Sequence, residues 1–207
     1  ALTMAAETTS PDTAAIVVAA GKGMRAGQSV PKQFAAWNGK PVIRHSVEAL
    51  ANAGIRPIVV AIPDGWKETA IECLAGIDEV ILIVGGPSRQ DSVKIALNSL
   101  ASNAPKRVLI HDAARPKLGL EVLDRLSGAL NTHVGAIPVL PVVDSLSVDA
   151  DGIMAGSADR NTLRRVQTPQ AFRFAEIFAA HQSWSNQTDA GDDAQVLRQA
   201  GGTVAHV

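Results

Sequence analysis

Five runs of Ile, Val and Ala recur along this 207-residue chain, separated by segments long enough for a helix. They are Ala15–Ala19, Pro57–Ile62, Val80–Val84, Val108–His111 and Val134–Val139. Most are continuously apolar rather than alternating, the pattern of strands covered on both faces. Strand runs alternating with helical segments imply βαβ units. The expected fold is therefore α/β and Rossmann-like, with a mostly parallel twisted sheet and helices on both faces. Pro41 suits a first helical turn, and Val42, Ile43, Val47, Leu50 and Ala51 follow at one-face spacing. Asp64 is expected to cap a second helix, and Ser88 or Asp91 a third whose apolar face is Val93, Ile95, Ala96, Leu97 and Leu100. Val122 to Leu130 supply a fourth helix, and Ala194 to Val207 read as a helix and a closing strand. Residues 1–13 read as a disordered lead-in, leaving one domain over 14–207.

One segment breaks the alternation. From about 141 to 167 the chain turns polar and irregular. Leu146 and Val148 alternate with polar neighbours, and Asp151–Gly152 is a strong hairpin signal before Ile153 and Met154. A protruding two-stranded β-arm is expected. An isolated hairpin is marginal in water, so such an arm packs on something, here a second subunit.

Composition excludes several partners. Nineteen Lys and Arg against twenty Asp and Glu leave a net charge of −1, so nothing attracts nucleic acid or an anionic membrane in general. Aromatic residues are 3% of the chain, with no tyrosine, too few for a base-stacking platform. Cys73 is the single cysteine, which excludes an internal disulfide. The five histidines, at 45, 111, 133, 181 and 206, have no metal-ligand spacing. No apolar run is long enough to span a bilayer, and the expected location is the cytoplasm.

An anion site, if present, must be local, and the first loop offers one. The first apolar run ends in Gly21–Lys22–Gly23–Met24–Arg25–Ala26, and Lys32 follows Arg25 by seven positions. Glycines let backbone N–H groups approach phosphate oxygens, and two cations would neutralise charge on a phosphoryl group in flight. The string satisfies the dinucleotide pattern G-x-G-x-x-G/A only weakly. Gly27, Pro31, Asn38 and Gly39 forbid a helix before about Pro41, and the acid after the second run, Asp64, lies too far on. There is no P-loop string. Further along, Asp112 in HDAARP follows a buried run, at the sheet edge where open α/β folds bind ligands. There it suits Mg²⁺ shared with phosphates, or else a local pair with Arg115. Gly85–Gly86 with Ser92 allows close backbone approach to a base or phosphate, or caps a helix. No nucleophile–base pair stands out. A substrate phosphate attacking a nucleoside triphosphate needs none, because it is already ionised.

Taken in order, AAGKGMRAG with PKQF, the GG-x-x-R-Q-D-S-V run at 85–93, HDAARP at 111–116, ADRN at 158–161 and TPQAF at 168–172 resemble the 2-C-methyl-D-erythritol 4-phosphate cytidylyltransferase family of the non-mevalonate isoprenoid pathway. The resemblance implies an arm swapped across a homodimer. It implies that Arg25 and Lys32 stabilise the transition state and that Ala19, Ala20, Gly21, Gly23, Gly86 and Ser92 surround CTP. It further implies that Asp112 and Arg115, with Ser145 and Arg160 of the partner subunit, hold methylerythritol phosphate, and that Asp112 also meets Mg²⁺ on the triphosphate. The products would be 4-diphosphocytidyl-2-C-methyl-D-erythritol and pyrophosphate.

Three departures qualify it. Ser145 stands where the family commonly has threonine. The acidic stretch through Asp189, Asp192 and Asp193 is longer than the family's T-D-[DE]-A, which leaves its functional aspartate open. The family's closing N-x-K-[IV]-T-x-P segment, which supplies a lysine to the substrate phosphate, does not occur in these residues. The family also occurs fused to a cyclodiphosphate synthase, and the chain is expected to be the front part of such a fusion, weakened alone. Other readings remain: a cytidylyltransferase for another polyol phosphate such as ribitol 5-phosphate, an NAD(P)-linked oxidoreductase, disfavoured by the long first loop, and a non-catalytic nucleotide-binding module.

Overall fold

The computed structural model describes residues 12–21, 30–185 and 190–207. In chain order the strands and helices are β1 (Thr13–Val18), β2 (Ala36–Trp37), β3 (Lys40–Pro41), α1 (Val42–Asn52), β4 (Ile58–Ile62), α2 (Lys67–Leu74), β5 (Val80–Val84), α3 (Arg89–Leu100) and β6 (Arg107–Asp112). Then come α4 (Leu120–Ala129), β7 (Gly135–Ile137), β8 (Val139–Pro141), β9 (Ser147–Ala150), β10 (Ile153–Ser157), β11 (Arg164–Val166), β12 (Gln170–Arg173), α5 (Phe174–Ser183), α6 (Asp193–Gln199) and β13 (Val204–His206). Seven strands form one sheet in the order β13-β7-β12-β6-β1-β4-β5. All run the same way except β12, which is antiparallel to both β6 and β7.

The period-two alternation of side chains across a strand divides the core. Ala15 and Val17 of β1 face α1, α2 and α4 through Ile43, Val47, Leu50, Leu74 and Leu126. Ala14 and Ile16 face α3, α5 and α6 through Val93, Leu97, Ile177 and Val196. Both faces of β1 are thus fully buried, and its run of apolar residues has no other place in a globular chain. The chain steps from β1 to β4 and β5 on one side, then crosses back to β6 on the other. The carboxyl ends of β1 and β6 therefore flank a topological switch point, where open α/β sheets take their ligands.

Several local expectations change. Thr13, read as part of the lead-in, pairs with Arg107 in the sheet; residues 1–11 lie outside the described residues. Asp64 does not cap α2: Gly65, at φ 80°, turns the chain first and the helix starts at Lys67 behind Trp66. Ser88 and Asp91, offered as alternatives, act together as a capping box on α3. Ile95 leaves the apolar face of α3 and is 40% exposed. The run Val134–Val139 splits at Pro138, which cannot donate to a ladder, and β8 leaves the main sheet to pair with β11. The short, polar-ended β12 and helix α5 after it had no sequence counterpart.

The arm is present. Strands β9 and β10 form an antiparallel hairpin turned by Asp151 (φ 53°) and Gly152 (φ 83°), the left-handed pair a two-residue hairpin turn demands. Every residue of β9 and β11 is exposed.

Candidate active site

At the switch point lies an open cavity of about 530 Å³. It is lined by Ala19, Ala20 and Gly21 after β1, Lys32 and Gln33 of the returning loop, Gly86, Ser88, Arg89 and Ser92 at the start of α3, and Asp112 to Ala114 after β6. Of the twelve candidate residues named from sequence, Ala19, Ala20, Gly21, Lys32, Gly86, Ser92 and Asp112 line it directly, and Arg115 follows Ala114 in the chain. Gly23 and Arg25 lie outside the described residues.

The first loop is closed by a side chain that the sequence presented only as a letter of PKQF. Gln33, 3% exposed, donates through Nε2 to the carbonyls of Ala19 (2.6 Å) and Gly21 (3.0 Å). One amide group thus ties the two ends of the glycine loop together and fixes the backbone beside Lys32. Phe34 stacks on Trp66 with ring centroids 5.4 Å apart, which anchors the same segment on the core. Lys32 itself is exposed and has no carboxylate partner among the described residues.

The glycine pair at 85–86 answers to packing as well as access. A Cβ on Gly85 would fall 2.2 Å from Cβ of Ala20, and one on Gly86 would fall 2.5 Å from Cβ of Asp91. Only glycine lets the end of β5 lie this close to the first loop. The N–H of Gly86 donates to Oγ of Ser92 at 3.0 Å, and that hydroxyl donates to the carbonyl of Ser88 at 2.9 Å. Ser92 is 1% exposed, so it shapes the cavity floor by clamping the turn.

Asp112 is the acidic group of the cavity. Its carboxylate meets Nε of Arg89 at 3.1 Å and Nε of Arg115 at 3.7 Å, so the local pair with Arg115 exists beside a closer one. Its N–H donates to Oγ1 of Thr168 at 3.2 Å. Thr168 in turn lies 3.0 Å from Nδ1 of His111, whose Nε2 is 3.0 Å from the carbonyl of Arg115. A carbonyl only accepts, so Nε2 carries the hydrogen and Nδ1 accepts from the threonine. Burial pushes His111 down to about 4, partly opposed by the Arg115 carbonyl and the Asp112 charge, and the ring is neutral. Nη1 of Arg115 donates to Oε1 of Gln167 at 2.6 Å. The HDAARP turn and the end of the arm are therefore bound to each other by three side-chain contacts.

Behind Asp112 lies a group no motif announced. Nη1 of Arg89 pairs at 2.7 Å with Asp193, which is completely buried, and Nε2 of His181 lies 3.1 Å from the other Asp193 oxygen. Burial would raise the Asp193 carboxyl, but the arginine and the histidine outweigh it and hold it below the ordinary range. Burial likewise works against the arginine charge, and the two carboxylates restore it and raise Arg89 above its usual value. The only sequence signal was the acidic run ending at Asp193; its partner Arg89 read as an ordinary letter of the GG-x-x-R string.

Ser145 and Arg160 do not join this cavity within one chain. Both are exposed on the arm, and Nη1 of Arg160 donates to the carbonyl of Val143 at 2.8 Å, next to Ser145. Among the described residues no three His, Cys, Asp or Glu side chains gather as a metal site. A divalent ion here would rest on Asp112 and on phosphate oxygens, the arrangement Mg²⁺ favours.

The family model IspD, 2-C-methyl-D-erythritol 4-phosphate cytidylyltransferase, matches residues 13–207. The chain belongs to this family. The bifunctional enzyme IspD/IspF of Erythrobacter litoralis is 61% identical over 204 residues, covering 99% of this chain and 53% of its own length. The 2-C-methyl-D-erythritol 4-phosphate cytidylyltransferase of Cereibacter sphaeroides is 46% identical over 199 residues, covering 94% of this chain and 87% of its own. The crystal structure of the enzyme of that name from Thermus thermophilus superposes with a TM-score of 0.77 at 29% identity, over 94% of this chain and 87% of that one. The chain spans about half the length of the bifunctional cytidylyltransferase relatives it matches. The oxidoreductase reading falls with this membership. Among the described residues no helix is long and apolar enough to cross a membrane.

Proposed function

We propose that this chain transfers CMP from CTP to 2-C-methyl-D-erythritol 4-phosphate, releasing pyrophosphate. The observation that carries the reading is the cavity at the β1–β6 switch point, with Lys32, which has no carboxylate partner among the described residues, on one wall and a carboxylate on the other, in a chain of the cytidylyltransferase family. The cytidine triphosphate lies along Ala19–Gly21 and Gly86, where the backbone is fixed by Gln33 and Ser92. The substrate phosphate attacks the α-phosphorus in line, forming a P–O bond as the bond to pyrophosphate breaks. The nucleophile is an anion already, so the protein needs no general base. Lys32 and Arg25 neutralise the charge that spreads over the α-phosphoryl oxygens in the transition state. Asp112, facing the cavity, would hold Mg²⁺, which when bound supplies charge neutralisation on the triphosphate.

Asp112 and Arg115 orient the methylerythritol phosphate from the HDAARP side. Ser145 and Arg160 complete that pocket from the arm of a second copy in a homodimer. Support for the dimer is the arm itself, which carries Val143, Ile153 and Met154 at 65%, 73% and 69% exposure and buries none of them within one chain. The reaction is read as cytoplasmic. Pyrophosphate release from CTP, assayed with methylerythritol phosphate and with ribitol 5-phosphate in the presence of Mg²⁺, tests the reading. Preference for ribitol 5-phosphate would overturn the substrate, and turnover of neither would favour a non-catalytic nucleotide-binding module.

A further inference from the structure

Asp112 faces a contradiction. To take a divalent cation it must offer its oxygens to the cavity, yet Arg89 sits 3.1 Å from one of them and Arg115 3.7 Å from the other. A cation of the protein and a cation from solution cannot share one carboxylate cheaply. Arg89 is three-quarters buried, so its charge is screened little by water. What separates this arginine from an ordinary partner of Asp112 is its second carboxylate. Asp193 is completely buried, lies at 2.7 Å on the other side of the guanidinium, and is fixed by His181. The surrounding chain is also pinned: Gln170 accepts from the N–H of Ala194 at 3.0 Å, and Gln90 donates to the carbonyl of Ala190. Asp193 cannot swing away, whereas Asp112, at the cavity edge, can.

We propose that Asp193 is the standing counter-ion of Arg89, a positioning residue that balances the guanidinium and so lets Asp112 exchange that arginine for a divalent cation bound to the nucleotide. The inference rests on the proposed function, which gives Asp112 its cation. Of the acidic run it gives Asp193, with His181 behind it, a part in the site; Asp189 lies outside the described residues.

The test is binding of Mn²⁺, followed by its electron spin resonance, to the full chain with and without CTP, together with metal-free CTP binding. In Asp193→Asn, Arg89 keeps its charge with one carboxylate left to balance it. Mn²⁺ affinity at saturating CTP is expected to fall about tenfold, the scale of one unit charge near a partly buried site. Metal-free CTP, an anion, is expected to bind as tightly as in the parent or more tightly. A structural lesion would weaken both, and that result, like unchanged Mn²⁺ binding in the variant, overturns the inference. The double variant Arg89→Gln with Asp193→Asn removes both charges and leaves no buried ion alone. It is expected to regain parental Mn²⁺ affinity to within about threefold. If Asp193→Asn fails to fold, the double variant decides alone, and weak Mn²⁺ binding by it overturns the inference. A parent chain that binds CTP but no Mn²⁺ sinks the role of Asp112 as well. Parental Mn²⁺ binding left unaltered by Asp193→Asn sinks only the part given to Asp193.

Discussion

The crevice at the strand ends and the arm are built on opposite principles. In the crevice nearly every polar side chain has its partner inside the same chain: Gln33 on two carbonyls, Ser92 on the 86–88 turn, His111 on Thr168 and Arg115, Asp193 on Arg89 and His181. Such buried networks hold their geometry because a broken bond leaves an unpaired polar group away from water. In the arm the hydrogen bonds are between neighbours on the surface, and the large apolar side chains face outward. On the proposed function, the nucleotide half of the site is preorganised in one chain and the polyol-phosphate half is completed by a second surface. Changes in the crevice should act on chemistry and CTP, and changes in the arm on the second substrate and on assembly.

The largest expected effect comes from Lys32→Ala. If its charge acts mainly in the transition state, kcat falls by about 10²-fold or more, with modest change in the apparent affinity for CTP. Steady-state kinetics decide, and equal losses in binding and rate would contradict the role. Next comes the joint change Ile153→Lys and Met154→Lys on the arm. Burying two such side chains in a dimer is worth about 3 kcal/mol or more, so the dimer should weaken by about 10²-fold, read by sedentation or light scattering over a dilution series. CTP binding should survive. A variant as dimeric as the parent would remove the arm from the interface. Arg160→Ala should raise the KM for methylerythritol phosphate by about tenfold and leave that for CTP nearly untouched, as loss of one charged phosphate contact would. An effect on CTP alone would move this arginine to the wrong side of the comparison.

The smallest effect concerns the His111 link between the two regions. Its pKa in the fold is about 4, below the ordinary 6.5, so the unfolded chain takes up the proton first as pH falls. The stability it confers is complete above about pH 6.5 and is lost progressively toward pH 4. Between about pH 7.5 and about pH 5.5 the loss from this group should be about 1 kcal/mol, measured by urea unfolding. A flat response over that interval would mean that the ring takes up its proton as readily in the fold as in the unfolded chain.

Much of this contrast could be read from the chain, for physical reasons that differ by region. Strands such as β4 and β5 are continuous apolar runs and announce themselves; β12, with Gln170 and Arg173 at its ends, gains its place only through its neighbours β6 and β7. Asp151–Gly152 marked the arm because only a few residue types accept the backbone angles of its turn. Lys32 and Asp112 were legible because each sits in a string beside an apolar run. Gln33, Arg89, His181 and Asp193 were not, since their contacts span 12 to 104 positions in the chain and no local pattern encodes such a distance. Asp64 misled because a helix cap and a turn before a glycine use the same residue.

The most direct trial of the account is pyrophosphate release from CTP by the parent chain and by Lys32→Ala, with methylerythritol phosphate and Mg²⁺ supplied or withheld in turn. Release that requires all three components and falls by about 10²-fold in the variant is the predicted result. Release that ignores the polyol phosphate, or that is unaltered by loss of Lys32, would contradict it.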